Sequence, residues 1–101
     1  MSRDIVRIEV HVTADDIAHG RRSDCTRCPV ALAVGRAMGE PCNVTAYSIY
    51  TESRIALTPP AAARFIEAFD DLVDVKPFSF CVNMIGDPEG GAYRSATMGL
   101  L

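Results

Sequence analysis

The residues best suited to chemistry lie together in residues 20–29, which read GRRSDCTRCP. Pro29 suits the first position of an α-helix because its ring fixes φ near the helical value. Unpaired N–H groups give a helix N-terminus about half a positive charge, and arginines beside it would strengthen the binding of a phosphate or carboxylate. The segment therefore predicts an anion-binding site with the candidate ligand-binding residues Arg21, Arg22, Ser23, Thr26 and Arg27.

The arginines of this segment have a second interpretation, in which they only pair with nearby carboxylates in a solvated loop. The carboxylates in question belong to Asp15, Asp16 and Asp24. Nine of the ten cationic residues are arginine, which forms planar, bidentate contacts with anions but also follows from a GC-rich genome. Arginine content alone therefore does not separate the two interpretations.

Zinc binding is the alternative that the cysteines suggest. The Cys25-x-x-Cys28 spacing supplies half of a tetrahedral site, and Cys42 would provide a third ligand. Cys81 and either His11 or His19 are further candidates, although a second Cys-x-x-Cys pair is missing and Cys81 lies in a strand pattern. Zinc bound by Cys25, Cys28 and Cys42 is thus an alternative, and the leading interpretation needs no cofactor.

Two enzymatic interpretations are weaker. A Cys-x-x-Cys pair at a helix N-terminus favours thiol exchange, but thioredoxin-like proteins place it directly after a strand, whereas here a helix and a loop intervene. His11, His19 and the scattered acids lack the spacing of a Ser/His/Asp triad or a carboxylate pair. We therefore predict that the protein is not an enzyme.

Length and composition exclude several classes of protein. The chain has 101 residues, of which 49% are hydrophobic and 23% charged, and this is enough for one core without obligatory disulfides or metal. A net charge of −3 argues against a protein that coats duplex DNA. No apolar run approaches a membrane span and the N-terminus does not resemble a signal peptide, so we expect a cytoplasmic location and no membrane partner.

The first half of the chain predicts one strand and two helices. Residues 5–12 alternate, with valines and isoleucine on one face and charged residues on the other, as in a half-buried strand. Thr13 is a suitable N-cap for a short helix that ends at Gly20 in a left-handed conformation. A second helix should begin after a cap at Cys28 and run to about Met38, with Gly39 as its end.

The second half predicts three strands and one helix. Residues 44–51 alternate as a strand, residues 52–53 form a hairpin turn, and residues 54–57 return as a second strand. Thr58 would then cap a third helix that ends at Lys76 and buries one apolar side, and residues 78–84 alternate as the last strand. The residues expected on that helix's apolar side are Phe65, Ile66, Phe69, Leu72 and Val73.

The element order β-α-α-β-β-α-β predicts an α+β fold, a single domain over residues 1–85 with about four mostly antiparallel strands and helices on one face. Residues 86–101 read as a Gly-rich C-terminal tail, mobile or docked on a neighbour through Tyr93, Met98, Leu100 and Leu101. The uncovered face of the sheet would be apolar enough to predict a homodimer. Its expected apolar residues are Tyr47, Ile49, Ala56 and Ile85.

Several segments together resemble a group of uncharacterised small proteins encoded by bacteriophages of high-GC Gram-positive hosts. The segments are Cys25-x-x-Cys28-Pro29-Val30-Ala31-Leu32-Ala33, Leu57-x-Pro59-x-Ala61, Phe65-Ile66-x-x-Phe69-Asp70 and Pro77-Phe78-x-Phe80. The resemblance covers roughly residues 5–84 and implies expression in a bacterial cytoplasm. It also implies an accessory role, such as binding and disabling a host protein, and it assigns no catalytic or binding residue.

Together these patterns predict a small, non-enzymatic binding protein that uses an arginine-rich loop at a helix N-terminus. Its partner would be an anionic small molecule or an acidic patch on a host protein. The alternative is a structural or self-associating domain with a cysteine-based zinc site.

Overall fold

The sheet holds the two ends of the described chain together. The computed structural model describes residues 5–86. Its elements in chain order are β1 (Ile5–Val12), α1 (Ala14–His19), α2 (Pro29–Met38), β2 (Asn43–Val44), β3 (Ser48–Tyr50), β4 (Arg54–Leu57), α3 (Pro60–Asp70) and β5 (Phe78–Gly86). The strands form one antiparallel sheet in the order β1-β5-β4-β3-β2. The predicted α+β class is confirmed, with five strands rather than four.

The alternation predicted for the first and last strands is confirmed. β1 pairs with β5 over its whole length, from Ile5 opposite Ile85 to Val12 opposite Phe78. One face of this pair packs into the core with α2 and α3, while the other face is exposed or partly exposed. The buried strand residues of the core face are Val10, Val12, Val44, Ile49, Ala56, Phe80, Val82 and Met84.

The starts of α1 and α2 follow local capping chemistry. Thr13 caps α1 through a capping box, in which its hydroxyl accepts the Asp16 N–H and the Asp16 carboxylate accepts the Thr13 N–H. α2 has the predicted cap at Cys28 and ends at Gly39, whose φ of 74° is left-handed. Gly20 differs from the prediction, since its φ is −71°. A side chain at Gly20 would instead meet the Pro29 ring at 2.6 Å.

The strand predicted over residues 44–51 is wrong, because the chain reverses within it. The Thr45 hydroxyl accepts the N–H groups of Tyr47 and Ser48, at 3.1 and 3.0 Å. This turn separates β2 from β3 and pairs Val44 with Ile49. Ile49 and Ala56 consequently lie in the core, so their expected place on the uncovered face is also wrong.

The third helix is shorter than predicted. It ends at Asp70, and Leu72 takes a left-handed φ of 65°. Leu72 and Val73 are therefore 71% and 57% exposed instead of lying on the helix's apolar side. The expected cap at Thr58 is also wrong, because its hydroxyl donates to the Thr45 carbonyl at 2.7 Å and Pro59 occupies the N-cap position.

The described residues end at Gly86, so the tail predicted for residues 86–101 lies almost wholly outside them. The longest helix within residues 5–86 has 11 residues. None of the helices in this range has the length and hydropathy needed to cross a membrane.

Candidate functional site

The candidate site is the loop of residues 21–27 between α1 and α2, called the arginine loop below. Its base is closed by a hydrogen bond from the Arg21 N–H to the Arg27 carbonyl, at 2.9 Å. This bond places the two arginines side by side at the loop's base. Both side chains belong to exposed residues.

Asp24 organises the loop from inside. Its Oδ1 accepts the Thr26 N–H at 3.0 Å, the Thr26 hydroxyl at 2.9 Å and the Arg27 N–H at 3.1 Å. Its carbonyl accepts the Cys28 N–H at 2.9 Å. The Thr26 hydroxyl is the main cause of a lowered pKa of the Asp24 carboxyl, and the Thr26 and Arg27 N–H groups act in the same direction. The ionised form of Asp24 therefore holds this turn.

Two predicted ligand-binding residues fasten the loop to the end of α3. The Arg22 Nε donates to the Phe69 carbonyl at 3.1 Å, and its guanidinium carbon lies 5.0 Å from the centre of the Phe69 ring. A cation at this place satisfies a carbonyl at the negative end of the helix. The Ser23 N–H donates to Asp70 Oδ1 at 2.9 Å, with Ser23 in a left-handed conformation. Arg22 and Ser23 therefore position the loop.

A second attachment joins the loop to the sheet. The Val44 N–H donates to the Cys25 carbonyl at 2.8 Å, and the Cys25 thiol donates to the Asn43 side-chain oxygen at 3.3 Å. These bonds connect the loop to β2, at the edge of the sheet opposite β1. The arginine loop is thus held on α3 and β2 at once, and its conformation is set before any partner arrives.

The remaining predicted ligand-binding residues, Arg21, Thr26 and Arg27, are exposed. Within residues 5–86, neither Arg21 nor Arg27 forms an ion pair. Two of the three carboxylates expected to pair with them are engaged elsewhere, Asp24 with Thr26 and Asp16 with Arg36 at 2.8 Å. The third, Asp15, is exposed and forms no ion pair within residues 5–86. The two guanidinium groups at the base of the loop therefore face solvent.

The N-terminus of α2 is closed, unlike the open helix end expected from the sequence. Cys28 is 3% exposed, and its sulfur accepts the Ala31 N–H at 3.4 Å. Pro29 has no N–H group to offer, and Val30 is completely buried. The first turn of the helix is therefore covered by the core, and the positive charge that a ligand can reach comes from arginine side chains.

The cysteines divide into two exposed and two buried thiols. Cys25 and Cys81 are exposed, whereas Cys28 and Cys42 are buried. Burial raises the pKa of both buried thiols, that of Cys42 to about 12. The Cys42 thiol also donates to the Ala31 carbonyl at 3.3 Å. Across the described residues, no group of three His, Cys, Asp or Glu side chains is arranged to hold a metal ion.

The histidines have local partners away from the loop. His11 Nδ1 lies 2.7 Å from the Ser79 hydroxyl, and its Nε2 lies 3.2 Å from the Glu9 carboxylate. His19 Nδ1 lies 2.9 Å from the Asp15 carbonyl, within α1. Neither contact brings a histidine to a cysteine or to the arginine loop.

Known proteins do not add to this picture of the site. No family model, curated protein or solved structure matches the chain.

Two acid-lined clefts flank the loop, and sequence patterns did not predict them. The larger, of about 280 Å³, is lined by Thr26, Glu40, Pro41, Cys42, Asn43, Tyr50, Thr51 and Glu52. The smaller, of about 190 Å³, is lined by Ser23, Asp24, Cys25, Cys28, Val44, Thr45, Ile66 and Asp70. The residues that line the clefts come together only because β2 pairs with β3 and the arginine loop contacts α3. Local sequence patterns carry no signal for such contacts.

The arrangement is suited to binding. Arg21 and Arg27 present charged hydrogen-bond donors on one anchored loop, whereas the Thr26 hydroxyl already donates to Asp24. The planar guanidinium group of arginine binds carboxylates and phosphates through two parallel hydrogen bonds.

Proposed function

We propose that the protein binds an acidic surface of a partner protein through the exposed residues Arg21 and Arg27, and that it acts without catalysis. One observation carries this proposal. The main-chain hydrogen bond between Arg21 and Arg27 brings two exposed arginines together at the base of the loop. Two adjacent cations of this kind match a surface that carries adjacent carboxylates.

The anchoring of the loop supports a binding role. Association loses free energy when a flexible segment must become ordered, and a preformed loop avoids much of that loss. Asp24 fixes the turn from within, while Arg22 and Ser23 attach it to α3. Arginine is also among the residues that most often dominate binding at protein interfaces.

The acids beside the loop favour a broad acidic surface over a small phosphate. Asp24 and Asp70 line one flanking cleft, and Glu40 and Glu52 line the other. A small anion entering either cleft would meet negative charge, which opposes its binding. Arg21 and Arg27 line neither cleft, and a surface that carries several carboxylates can approach both arginines from solvent.

The resemblance to phage accessory proteins adds context to the proposal. In that setting, the protein would act in the bacterial cytoplasm and the acidic surface would belong to a host protein. The role that follows is binding and disabling that host protein.

The test uses a deca-glutamate peptide as a probe of acidic surfaces and inorganic phosphate as a probe of small anions. Isotope-labelled protein is titrated with each probe, and backbone amide shifts are followed by NMR. We expect saturable shifts centred on residues 21–27 with the peptide and much weaker shifts with phosphate. The peptide shifts should decrease as salt rises, because exposed charges are screened.

The decisive variant is Arg21→Ala with Arg27→Ala. It should abolish the peptide-induced shifts while changing the unfolding free energy by about 0.5 kcal/mol or less, as exposed substitutions usually do. The matched control is Arg64→Ala with Lys76→Ala, which also removes two exposed cations but should leave peptide binding intact. Equal losses in both variants would show general charge attraction and would refute a role for the loop.

A further inference from the structure

The edge strand β1 supplies an inference that is independent of the arginine loop. β1 has eight residues, and among residues 5–86 β5 is its only neighbour in the sheet. An edge strand of this length presents a row of main-chain donors and acceptors to which another strand can bind. The loop attaches to β2 at the other edge, so the two surfaces are separate.

One hydrogen bond shows which residues of β1 point their main-chain N–H and C=O groups outward, that is, away from β5. The N–H and C=O of one strand residue point to the same side, and this side alternates along the strand. Arg36 Nη2 donates to the His11 carbonyl at 3.0 Å, so His11 points away from β5. Ile5, Arg7 and Glu9 then also point outward, whereas Val6, Ile8 and Val10 bond to β5.

Two of these outward residues, Arg7 and Glu9, have opposite charges and exposed side chains. When two copies of β1 pair antiparallel around Ile8, Arg7 lies opposite Glu9 of the other copy, and two such pairs form by symmetry. A register centred on Arg7 or on Glu9 would place like charges opposite each other, which is unfavourable. Charge therefore selects one register of the pairing.

The same register covers apolar side chains at the edge of the core. Val6 and Ile8 lie on the core face of β1, yet Val6 is 37% exposed and Ile8 is only partly buried. Pairing around Ile8 places the two Ile8 side chains opposite each other and Val6 opposite Val10 of the second copy. These are positions without direct main-chain bonds, where side chains approach most closely. The main chain, the charges and the apolar side chains thus all fit the same partner.

We propose that the protein self-associates as a symmetric dimer in which β1 pairs antiparallel with β1 of a second copy around Ile8, forming a continuous ten-stranded sheet. Arg7 and Glu9 each exchange two main-chain bonds with the residue opposite. Arg36 already occupies the His11 carbonyl, so the pairing is centred on residues 7–9. The helices of both copies lie on the same side of this sheet, and the two arginine loops face away from the shared edge.

The test measures mass in solution by sedimentation equilibrium at protein concentrations of about 10–200 µM, because a strand edge buries less area than a standard interface. We expect a concentration-dependent approach to twice 10.9 kDa. Glu9→Arg should weaken the dimer about tenfold or more, because both charge pairs become repulsive. Arg7→Glu should do the same, and the double variant Arg7→Glu with Glu9→Arg should restore dimerisation.

Two further variants distinguish pairing through β1 from contact through the uncovered face of the sheet. Arg7→Pro removes an outward N–H that the monomer does not use, so it should abolish association without unfolding the protein. Leu57→Asp changes an 83% exposed residue on the uncovered face and should leave the mass unchanged. Glu67→Arg on α3 is the matched charge control and should also have no effect.

The proposal is overturned by a monomer at every concentration. A dimer that ignores the charge exchange but is lost in Leu57→Asp overturns it as well, since that result places the contact on the uncovered sheet face. Neither outcome bears on peptide binding by the arginine loop, which is measured with different variants and a different probe.

Discussion

Two neighbouring regions of the molecule use arginine in opposite ways. At the helix junction, α1 packs on α2 through Asp16, Gly20, Pro29 and Arg36, and both terminal nitrogens of the arginine form hydrogen bonds. Arg36 donates to both carboxylate oxygens of Asp16, at 2.9 and 2.8 Å, and to the His11 carbonyl. In the arginine loop, Arg21 and Arg27 are exposed and form no ion pair within residues 5–86.

The difference comes from where the carboxylates are held. Asp16 is 4% exposed and held by the capping box, and both of its carboxylate oxygens also accept hydrogen bonds from Arg36. Asp24 accepts hydrogen bonds from the Thr26 hydroxyl and from the N–H groups of Thr26 and Arg27, and it forms no ion pair with either exposed guanidinium. An arginine is therefore structural where its guanidinium pairs with a fixed carboxylate, and it is available for binding where its guanidinium forms no ion pair. Substitutions at the helix junction should therefore change the stability of the fold, whereas substitutions of Arg21 and Arg27 should change partner binding.

The largest expected effect is at Gly20 in the helix junction. A Cβ there would lie 2.6 Å from two Pro29 ring carbons and 2.8 Å from the Asp16 carbonyl. Gly20→Ala should therefore lower the unfolding free energy by about 3 kcal/mol, since overpacking forces the helices apart. Urea unfolding at pH 7 measures this loss.

Gly35→Ala is the matched control for Gly20→Ala. Its Cβ would meet the Glu40 carbonyl at 3.4 Å, an ordinary contact, inside α2. This variant should gain about 0.5–1 kcal/mol from the better helix propensity of alanine. Equal effects at the two glycines would contradict the close contact between Gly20 and Pro29.

The next effect concerns the charge of Asp16. The Arg36 guanidinium is the main cause of a lowered pKa of the Asp16 carboxyl in the folded protein, and the Thr13 N–H and hydroxyl act in the same direction. A lowered pKa stabilises the fold above the ordinary value of 3.8, and this contribution is lost as pH falls through the folded pKa. Asp16→Asn should cost about 2 kcal/mol at pH 7, and its deficit relative to the unsubstituted protein should shrink below about pH 4.

The pH dependence is measured by urea unfolding at pH 7, 5 and 3. Asp15→Asn changes an exposed carboxylate in the same turn of α1 and serves as the control. A deficit for Asp16→Asn that stays constant down to pH 3 would show that the ion pair with Arg36 contributes nothing to stability.

The smallest expected effect lies within the arginine loop itself. Arg22→Ala removes the bond to the Phe69 carbonyl and the contact with its ring, and should cost about 1 kcal/mol. Arg21→Ala and Arg27→Ala should each change stability by about 0.5 kcal/mol or less. Thermal unfolding of the three variants makes the comparison, and identical losses would mean that Arg22 does not anchor the loop.

The parts of the fold that are encoded locally were predictable from the sequence. The alternation of β1 and β5, the cap at Cys28, the proline at the start of α2 and its end at Gly39 all depend on neighbouring residues. The predictions for residues 44–51 and 71–73 were wrong for a common reason. In both segments, a turn interrupts a regular apolar pattern. The Thr45 hydroxyl stabilises the first turn, and the left-handed conformation of Leu72 ends the helix in the second.

The candidate site was predictable only in part. Clustering in the sequence pointed to the loop that carries Arg21, Thr26 and Arg27, but not to the roles of its other members. Arg22 and Ser23 meet α3 across 47 residues, and such contacts leave no trace in local spacing. Burial of the α2 start was equally hidden, because it depends on how the helix packs against the rest of the core.

The position of β5 in the sheet has a consequence for how the protein folds during synthesis. β5 is the last described strand to be made, yet it lies between β1 and β4. The hairpins of β2, β3 and β4 can form from nearby residues, whereas β1 leaves the ribosome early and must wait for a partner about 70 residues away. Nascent chains should therefore acquire their full sheet only after translation has passed residue 86, with the insertion of β5 as the closing step.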